Sequence, residues 1–384
     1  MPSSQAQKSI NQAMFKATKL TGVGKLLDAT RLIQRALFGA GPSPIPTSTS
    51  APTPAQAKPD ANNPPAVILL PAADGFEPTP TAKPGREASF SKHAFAFEGD
   101  NYPYRLYIPA ATGDAVDELM PLVVLLHGCK QDALDFANGT AMNTLASTHN
   151  AMVLYPEQTT SGNAMRCWNW FDPSHQQAGR GEPGMIAALT QKIMAQHNAD
   201  PARVYVAGLS AGGAMAAVVA GLYPNLFAAV GVHSGLAAGA AQDVMSAFSA
   251  MRSGAKGHET SALPTIVFHG TADTTVNPDN SEFITDAALV ALKASGLSLT
   301  KTKSNFESNI ESSSTPGKPE QAERTVYSNA SGTPFVESWR VMAGPHAWSG
   351  GSAQGSYTDP DGPDASGAML AFFLRHEKVL AAAN

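Results

Sequence analysis

Cysteine is scarce: Cys129 and Cys167 are the only two in 384 residues. That excludes a disulfide scaffold and any cysteine-rich zinc or iron–sulfur site. Charge is sparse too, with Asp, Glu, Lys and Arg at 15% and a formal net charge of −5, so no overall basic field is available for nucleic acid. Long apolar runs are missing; no window approaches the roughly 18 uninterrupted apolar residues that cross a bilayer, which excludes a transmembrane helix. The ten histidines show no pair at metal-ligand spacing, which disfavours a metal hydrolase, and no cofactor is implied. What remains, at 43% hydrophobic residues, is a soluble globular chain with room for two average domains or one large one.

Proline is plentiful but unevenly placed. Twelve of the 29 prolines lie between Pro42 and Pro84, among Ala, Ser and Thr. Such a stretch cannot bury enough apolar surface to offset its ordering entropy, and reads as an extended, semi-rigid linker over residues 41–87. It separates a head, residues 1–40, from a body, residues 88–384. In the head, Ile10, Met14, Ala17 and Leu20 mark one apolar face and Leu26, Ala29, Ile33 and Leu37 a second, with Gly22 and Gly24 between. This spacing predicts two short amphipathic helices. Lys8, Lys16, Lys19, Lys25, Arg31 and Arg35 against Asp28 give the head a net charge of +5. Three readings suit it: a solvated helical pair that docks on a partner, a basic amphipathic anchor on a membrane or hydrophobic granule, or an organelle transit peptide. The apolar window 26–38 is broken by Asp28, Arg31 and Arg35, and no small-residue cleavage site follows it, so no secretory signal is read. A cytoplasmic location is expected, with an extracellular one as the alternative.

The body alternates strand-like and helix-like signals. Apolar or β-branched runs occur at 122–126, 152–155, 204–207, 227–232, 265–268 and 336–341, with helical patterns such as 185–196 and 211–222 between them. Short, almost wholly apolar strands separated by helices predict a mainly parallel sheet covered on both faces. Segments 94–98 and 104–108, joined through Gly99-Asp100-Asn101, predict an antiparallel hairpin at its edge. One α/β domain of nearly 300 residues accounts for everything after the linker.

The sharpest chemical signal is Gly208-Leu209-Ser210-Ala211-Gly212, between a predicted strand and a small-residue helix. On a strand-to-helix turn this pattern projects the serine hydroxyl from the carboxyl edge of the sheet, and side chains at the glycine positions would meet neighbouring backbone. A serine needs a base, and the base an orienting carboxylate. Asp273, in the loop after strand 265–268, supplies the carboxylate in preference to Asp279, which suits a helix first turn. His346, in Gly344-Pro345-His346-Ala347-Trp348, follows the last strand and precedes the helix 365–376, and supplies the base. His127 and His269 end strands before glycine and suit hydrogen bonds to loop backbone; His233 ends another strand, and His376 is expected on the surface of the final helix. The N–H of Cys129, in Leu125-Leu126-His127-Gly128-Cys129, and that of Ala211 suit an oxyanion hole. Cys129 as the nucleophile of a Cys/His enzyme is a weaker alternative. Arg166-Cys167-Trp168-Asn169-Trp170-Phe171 reads either as a local mini-core or as a hydrophobic platform for an apolar or polymeric ester. Trp168, Trp170 and Trp348 are the substrate contacts expected from the second reading. A bond between Cys129 and Cys167 would tie that platform to the oxyanion turn and calls for an oxidising compartment.

These blocks together resemble the polyhydroxybutyrate depolymerase family of α/β-hydrolase esterases, close to the feruloyl and acetylxylan esterases of the same superfamily. The resemblance rests on His127-Gly128-Cys129 with Gln131, Cys167-Trp168-Asn169-Trp170-Phe171, Gly208-Leu209-Ser210-Ala211-Gly212, His269-Gly270-Thr271-Ala272-Asp273 and His346-Ala347-Trp348-Ser349-Gly350-Gly351, and runs from about Tyr104 to His376. It implies an α/β-hydrolase fold with Ser210 as nucleophile, Asp273 as acid, His346 as base and the Cys129 N–H in the oxyanion hole. It further implies a short-chain polyhydroxyalkanoate or its oligomers as substrate, and secretion in many members, which the head does not support. A plant cell-wall feruloyl or acetyl ester is the alternative substrate, and a catalytically silent binding module the alternative function.

Overall fold

A computed structural model of the chain describes residues 85–258, 260–306 and 322–378. The helices expected in residues 1–40 lie outside the described residues, as does the linker apart from 85–87. Arg86 is already fastened to the body: it bridges Ala111, and its guanidinium donates to Pro109 O at 2.9 Å and to Asn150 Oδ1 at 3.3 Å.

Ten strands form one sheet in the order β1-β2-β4-β3-β5-β6-β7-β10-β9-β8. The expected hairpin is β1 (Ser89–Phe97) and β2 (Asp100–Ile108), paired antiparallel through Gly99 at φ 90°. The centre is the run of apolar strands that the composition predicts: β3 (Met120–Leu126), β4 (Met152–Pro156), β5 (Ala199–Leu209), β6 (Ala229–His233), β7 (Thr265–Gly270) and β10 (Pro334–Val341). All five pairings among these six are parallel. Both faces of such strands must be covered, because the crossover helices lie on both sides. Accordingly Leu122, Val124 and Leu126 of β3 join one apolar cluster, with Met185, Ile186 and Met215 from α3 (Gly181–Gln196) and α4 (Ala211–Leu222). Val123 and Leu125 join the other, with Phe136 of α1 (Ala133–Thr140), Met142 of α2 (Met142–Thr148) and Phe372 of α7 (Ala365–Phe373). The remaining helices are α5 (Val244–Ser253) and α6 (Asp279–Ala294).

Two strands of this sheet were not predicted. β8 (Thr300–Phe306) and β9 (Ala322–Ser328) extend the sheet antiparallel beyond β10. β8 reads Thr-Lys-Thr-Lys-Ser-Asn-Phe, and its residues 300–305 are exposed, so it lacks the apolar run that marked the central strands. Lysines on such an edge oppose pairing with another chain; Lys303 meets Glu323 of β9 at 2.7 Å. The final helix is also shorter than expected, ending at Phe373 rather than 376. His376, expected on its surface, is instead buried: the chain turns back along β5, where Lys378 N donates to Ala202 O and Tyr205 Oη to His376 O, and the ring packs on Phe335 and Phe372. Among the described residues no helix is long and apolar enough to cross a membrane.

Candidate active site

β5 delivers Ser210 to the carboxyl edge of the sheet, and α4 begins at the next residue. Ser210 has φ 57° and ψ −120°, a left-handed, strained conformation for a residue with a Cβ. The turn holds because Ser210 N donates to His233 O at 2.9 Å and Ser210 O accepts from Ala214 N at 2.9 Å. The glycines on either side are required by contact. A Cβ on Gly208 would strike the backbone of Gly212, and one on Gly212 would strike the carbonyls of Leu126 and His127. Gly212→Ala is therefore expected to destabilise the fold by about 3 kcal/mol or more, since rigid main chain must give way. An unchanged Tm in thermal unfolding would refute that packing.

The loops that carry Asp273 and His346 meet at the carboxyl ends of the neighbouring strands β7 and β10. Thr271 N donates to Val341 O at 2.8 Å, Ala272 N to Gly344 O at 3.0 Å, and Ala343 N to Thr271 Oγ1 at 2.8 Å. Stapled in this way, Asp273 Oδ2 lies 2.6 Å from His346 Nδ1. Its other oxygen accepts from Thr275 N and Val276 N at 2.8 and 2.9 Å. Burial opposes ionisation of Asp273, but hydrogen bonds from His269 and His346 and the charge on His346 outweigh it and hold its carboxyl well below the usual range. With Nδ1–H committed to Asp273, Nε2 of His346 is the nitrogen left to accept a proton. Among the described residues the Ser210 hydroxyl forms no hydrogen bond, either to the helix it precedes or to His346. Such contacts commonly close only once substrate is bound.

The turn that carries Cys129 follows β3. Gly128 N donates to Gln131 Oε1 at 2.9 Å, Lys130 N to Met165 O at 2.7 Å and Gln131 N to Gly128 O at 3.3 Å. Among the described residues neither the Cys129 N–H nor the Ala211 N–H has a protein acceptor. A disulfide joins Cys129 to Cys167 and so ties this turn to the tryptophan loop.

The tryptophans correct one expectation. Trp168, Trp170 and Trp348 are 0%, 4% and 1% exposed, and so belong to the interior rather than to a substrate platform. Their polar edges are used internally: Trp168 Nε1 donates to His127 O at 3.1 Å and Trp348 Nε1 to Ser366 Oγ at 2.9 Å. Trp348 stacks on His233, and Phe136 meets its edge. Two residues beside the site carry more than loop contacts. His269 Nε2 reaches Val276 O at 3.0 Å but also Asp273 Oδ2 at 3.3 Å, making it a second imidazole on the acid. Its spacing four residues before Asp273 was the available signal. Glu182, in the first turn of α3, is buried and holds the tryptophan loop through Asn169 N at 2.7 Å and Asn169 Nδ2 at 2.6 Å; burial pushes its carboxyl up. No local motif marked it.

Buried histidines give the fold an acid limit. Burial holds His127 and His376 down to about 4 and His233 down to about 3, against 6.5 for an exposed ring. Between these values the unfolded chain binds protons that the folded chain refuses, so stability falls as pH drops below about 6.5. The depressed Asp273 adds a loss of the same sign below about pH 4. Tm is expected to fall between pH 7 and pH 4.5, and His233→Gln to flatten that slope. A Tm independent of pH over this range would contradict it.

A family model described as Esterase PHB depolymerase matches residues 102–298, a span that carries Cys129, Ser210 and Asp273 but stops before His346. Poly(3-hydroxyalkanoate) depolymerase C of Paucimonas lemoignei is 31% identical over 270 residues, which is 66% of this chain and 59% of that protein. The chain thus spans less than two thirds of that relative's length. Feruloyl esterase B of Thermothelomyces thermophilus is 30% identical over 203 residues, 47% of this chain and 67% of that protein. Among solved structures, an acetyl xylan esterase from Aspergillus awamori aligns with a TM-score of 0.53 and 20% identity over 74% of this chain and 99% of that one. The sheet order and this likeness establish the α/β-hydrolase fold.

Proposed function

The chain belongs to the esterase PHB depolymerase family, and on that premise we propose that it is a serine esterase acting on short-chain polyhydroxyalkanoate or its oligomers. The observation that carries this reading is the 2.6 Å contact between His346 Nδ1 and Asp273 Oδ2 at the sheet edge where Ser210 is held at φ 57°. Ser210 Oγ attacks the ester carbonyl while His346 Nε2 takes its proton. Asp273 stabilises the imidazolium, and the N–H groups of Cys129 and Ala211 receive the oxyanion. The alkoxide leaves with the proton from His346, and His346 then draws a proton from water, which releases the acyl group.

The polyester reading draws support from four exposed apolar side chains. Leu134, Met245, Met342 and Tyr357 are 40–53% exposed, and each belongs to a segment at the carboxyl edge of the sheet. Leu134 and Met245 open the helices that follow β3 and β6, and Met342 directly follows β10. Tyr357 sits in a loop fastened to Asp135 through Ser356. Exposed apolar side chains in segments that leave one edge of the sheet suit a hydrophobic, water-poor substrate better than a hydrated polysaccharide. A side-by-side assay of hydroxybutyrate oligomers, methyl ferulate and acetylated xylan tests this. The highest kcat/KM is expected on the oligomers; preference for either plant ester would overturn the substrate assignment and leave the serine chemistry standing.

A further inference from the structure

Resting on the serine-esterase reading, we propose that His127 is a positioning residue for the oxyanion hole, aiming the Cys129 N–H through the peptide that Gly128 and Cys129 share. His127 ends β3 and is completely buried. Its Nδ1 lies 2.8 Å from Gly128 O, and its Nε2 lies 3.0 Å from Gln158 N. A carbonyl only accepts and a main-chain amide only donates. The ring therefore has one form that satisfies both neighbours: neutral, with its proton on Nδ1.

That proton is placed where it matters. Gly128 C=O and Cys129 N–H are the two ends of one planar trans peptide, pointing in opposite directions. Fixing the carbonyl therefore fixes the direction of the N–H. Every other main-chain donor of the turn is occupied: Gly128 N by Gln131 Oε1, Lys130 N by Met165 O, and Gln131 N by Gly128 O. Among the described residues the Cys129 N–H alone is left over, in the turn that follows β3 at the carboxyl edge to which β5 delivers Ser210. A donor preorganised in this way needs no reorientation as charge develops on the substrate oxygen.

The ring's other nitrogen is anchored as firmly. Gln158, whose N–H fixes Nε2, is itself held by its side chain, which donates to Glu182 Oε1 and to Cys167 O at 3.2 Å and accepts from Thr159 N at 2.9 Å. Glu182 stands in the first turn of α3, where the helix dipole favours its charge. The chain of contacts thus runs from a buried carboxylate through Gln158 and His127 to the oxyanion donor. On this view Glu182, unmarked by any local motif, sets the geometry of the turn at second hand.

The test compares two polar replacements that differ in reach. In His127→Asn the side-chain amide nitrogen takes the place of Nδ1 and can still donate to Gly128 O; in His127→Gln it extends toward the position of Nε2. With a soluble p-nitrophenyl ester, His127→Gln is expected to lose about 10²-fold in kcat at little changed KM, the scale of one misdirected oxyanion donor, while His127→Asn, which keeps the donor to Gly128 O but gives up the contact with Gln158 N, is expected to lose no more than about tenfold. Affinity for a boronic acid that mimics the tetrahedral intermediate should fall by the same factor in His127→Gln only. Equal kcat in the two variants, or a loss carried by KM, overturns the proposal. If neither variant folds, nitrogen-15 NMR of the wild-type ring decides: protonation at Nδ1 is expected, and protonation at Nε2 overturns it. A wild-type protein with no ester turnover and no fluorophosphonate labelling at Ser210 would remove the esterase reading and this proposal together. An active wild type with a fully active His127→Gln would remove this proposal alone.

Discussion

Ser210→Ala is expected to lower kcat for p-nitrophenyl butyrate by at least about 10⁴-fold, because nucleophile, base and acid act as a unit and the remainder supplies only binding and oxyanion contacts. The change is well suited to separate chemistry from folding. The Ser210 hydroxyl forms no hydrogen bond among the described residues, so its removal leaves no buried partner unsatisfied. The residue's φ of 57° is as strained for alanine as for serine. Stability should therefore change by less than about 1 kcal/mol, and the Tm of the variant should match the wild type. A folded Ser210→Ala protein that keeps more than about a tenth of wild-type turnover would remove the nucleophile assignment, since a positioned base alone contributes about 10² or more.

Asp273→Asn is expected to cost about 10⁴-fold in kcat at neutral pH. Both oxygens of Asp273 are acceptors here: Oδ1 for Thr275 N and Val276 N, and Oδ2 for His346 Nδ1 and His269 Nε2. An amide offers one oxygen and one NH₂, so one side of the residue must face donors with a donor. If the NH₂ faces His346, Nδ1 must give up its proton and act as acceptor. The proton then moves to Nε2, where the base is needed empty. If the NH₂ faces the Thr275 and Val276 amides, the loop loses both bonds and its carboxylate-shaped turn. Steady-state kinetics with Tm measured alongside would distinguish these. A kcat within tenfold of wild type would show that Asp273 does not orient the base, and Asp279 would become the residue to test.

Much of the site is legible in the chain because its parts are short-range. The Gly208–Gly212 turn needs small residues two positions either side of Ser210, and contact with the Leu126 and His127 carbonyls shows why. The order of serine, acid and base along the sequence follows from successive strands each ending in a loop at one edge. The central strands betray themselves by being apolar at every position, as both faces demand. β8 does not, because an edge strand with Lys301 and Lys303 turned to water has no apolar pattern to display. His376 looked like a helix-surface residue because the helical pattern runs past Phe373, where the chain in fact turns back toward β5.

Sequence alone thus settled the class of fold, the Ser210 turn and the residues around which an ester-cleaving site could assemble. Only the tertiary structure decided which aromatic residues face inward, that Cys129 is bonded to Cys167, that a second imidazole touches Asp273, and that His127 braces the turn carrying the Cys129 N–H. The physical reason is one of range. Periodicity and turn chemistry are set by neighbours a few residues apart. Whether a tryptophan lines a surface or fills a core, and whether a histidine's proton sits on one nitrogen or the other, depends on partners from other strands: Trp168 on a carbonyl 41 residues earlier, His127 on an amide 31 residues later.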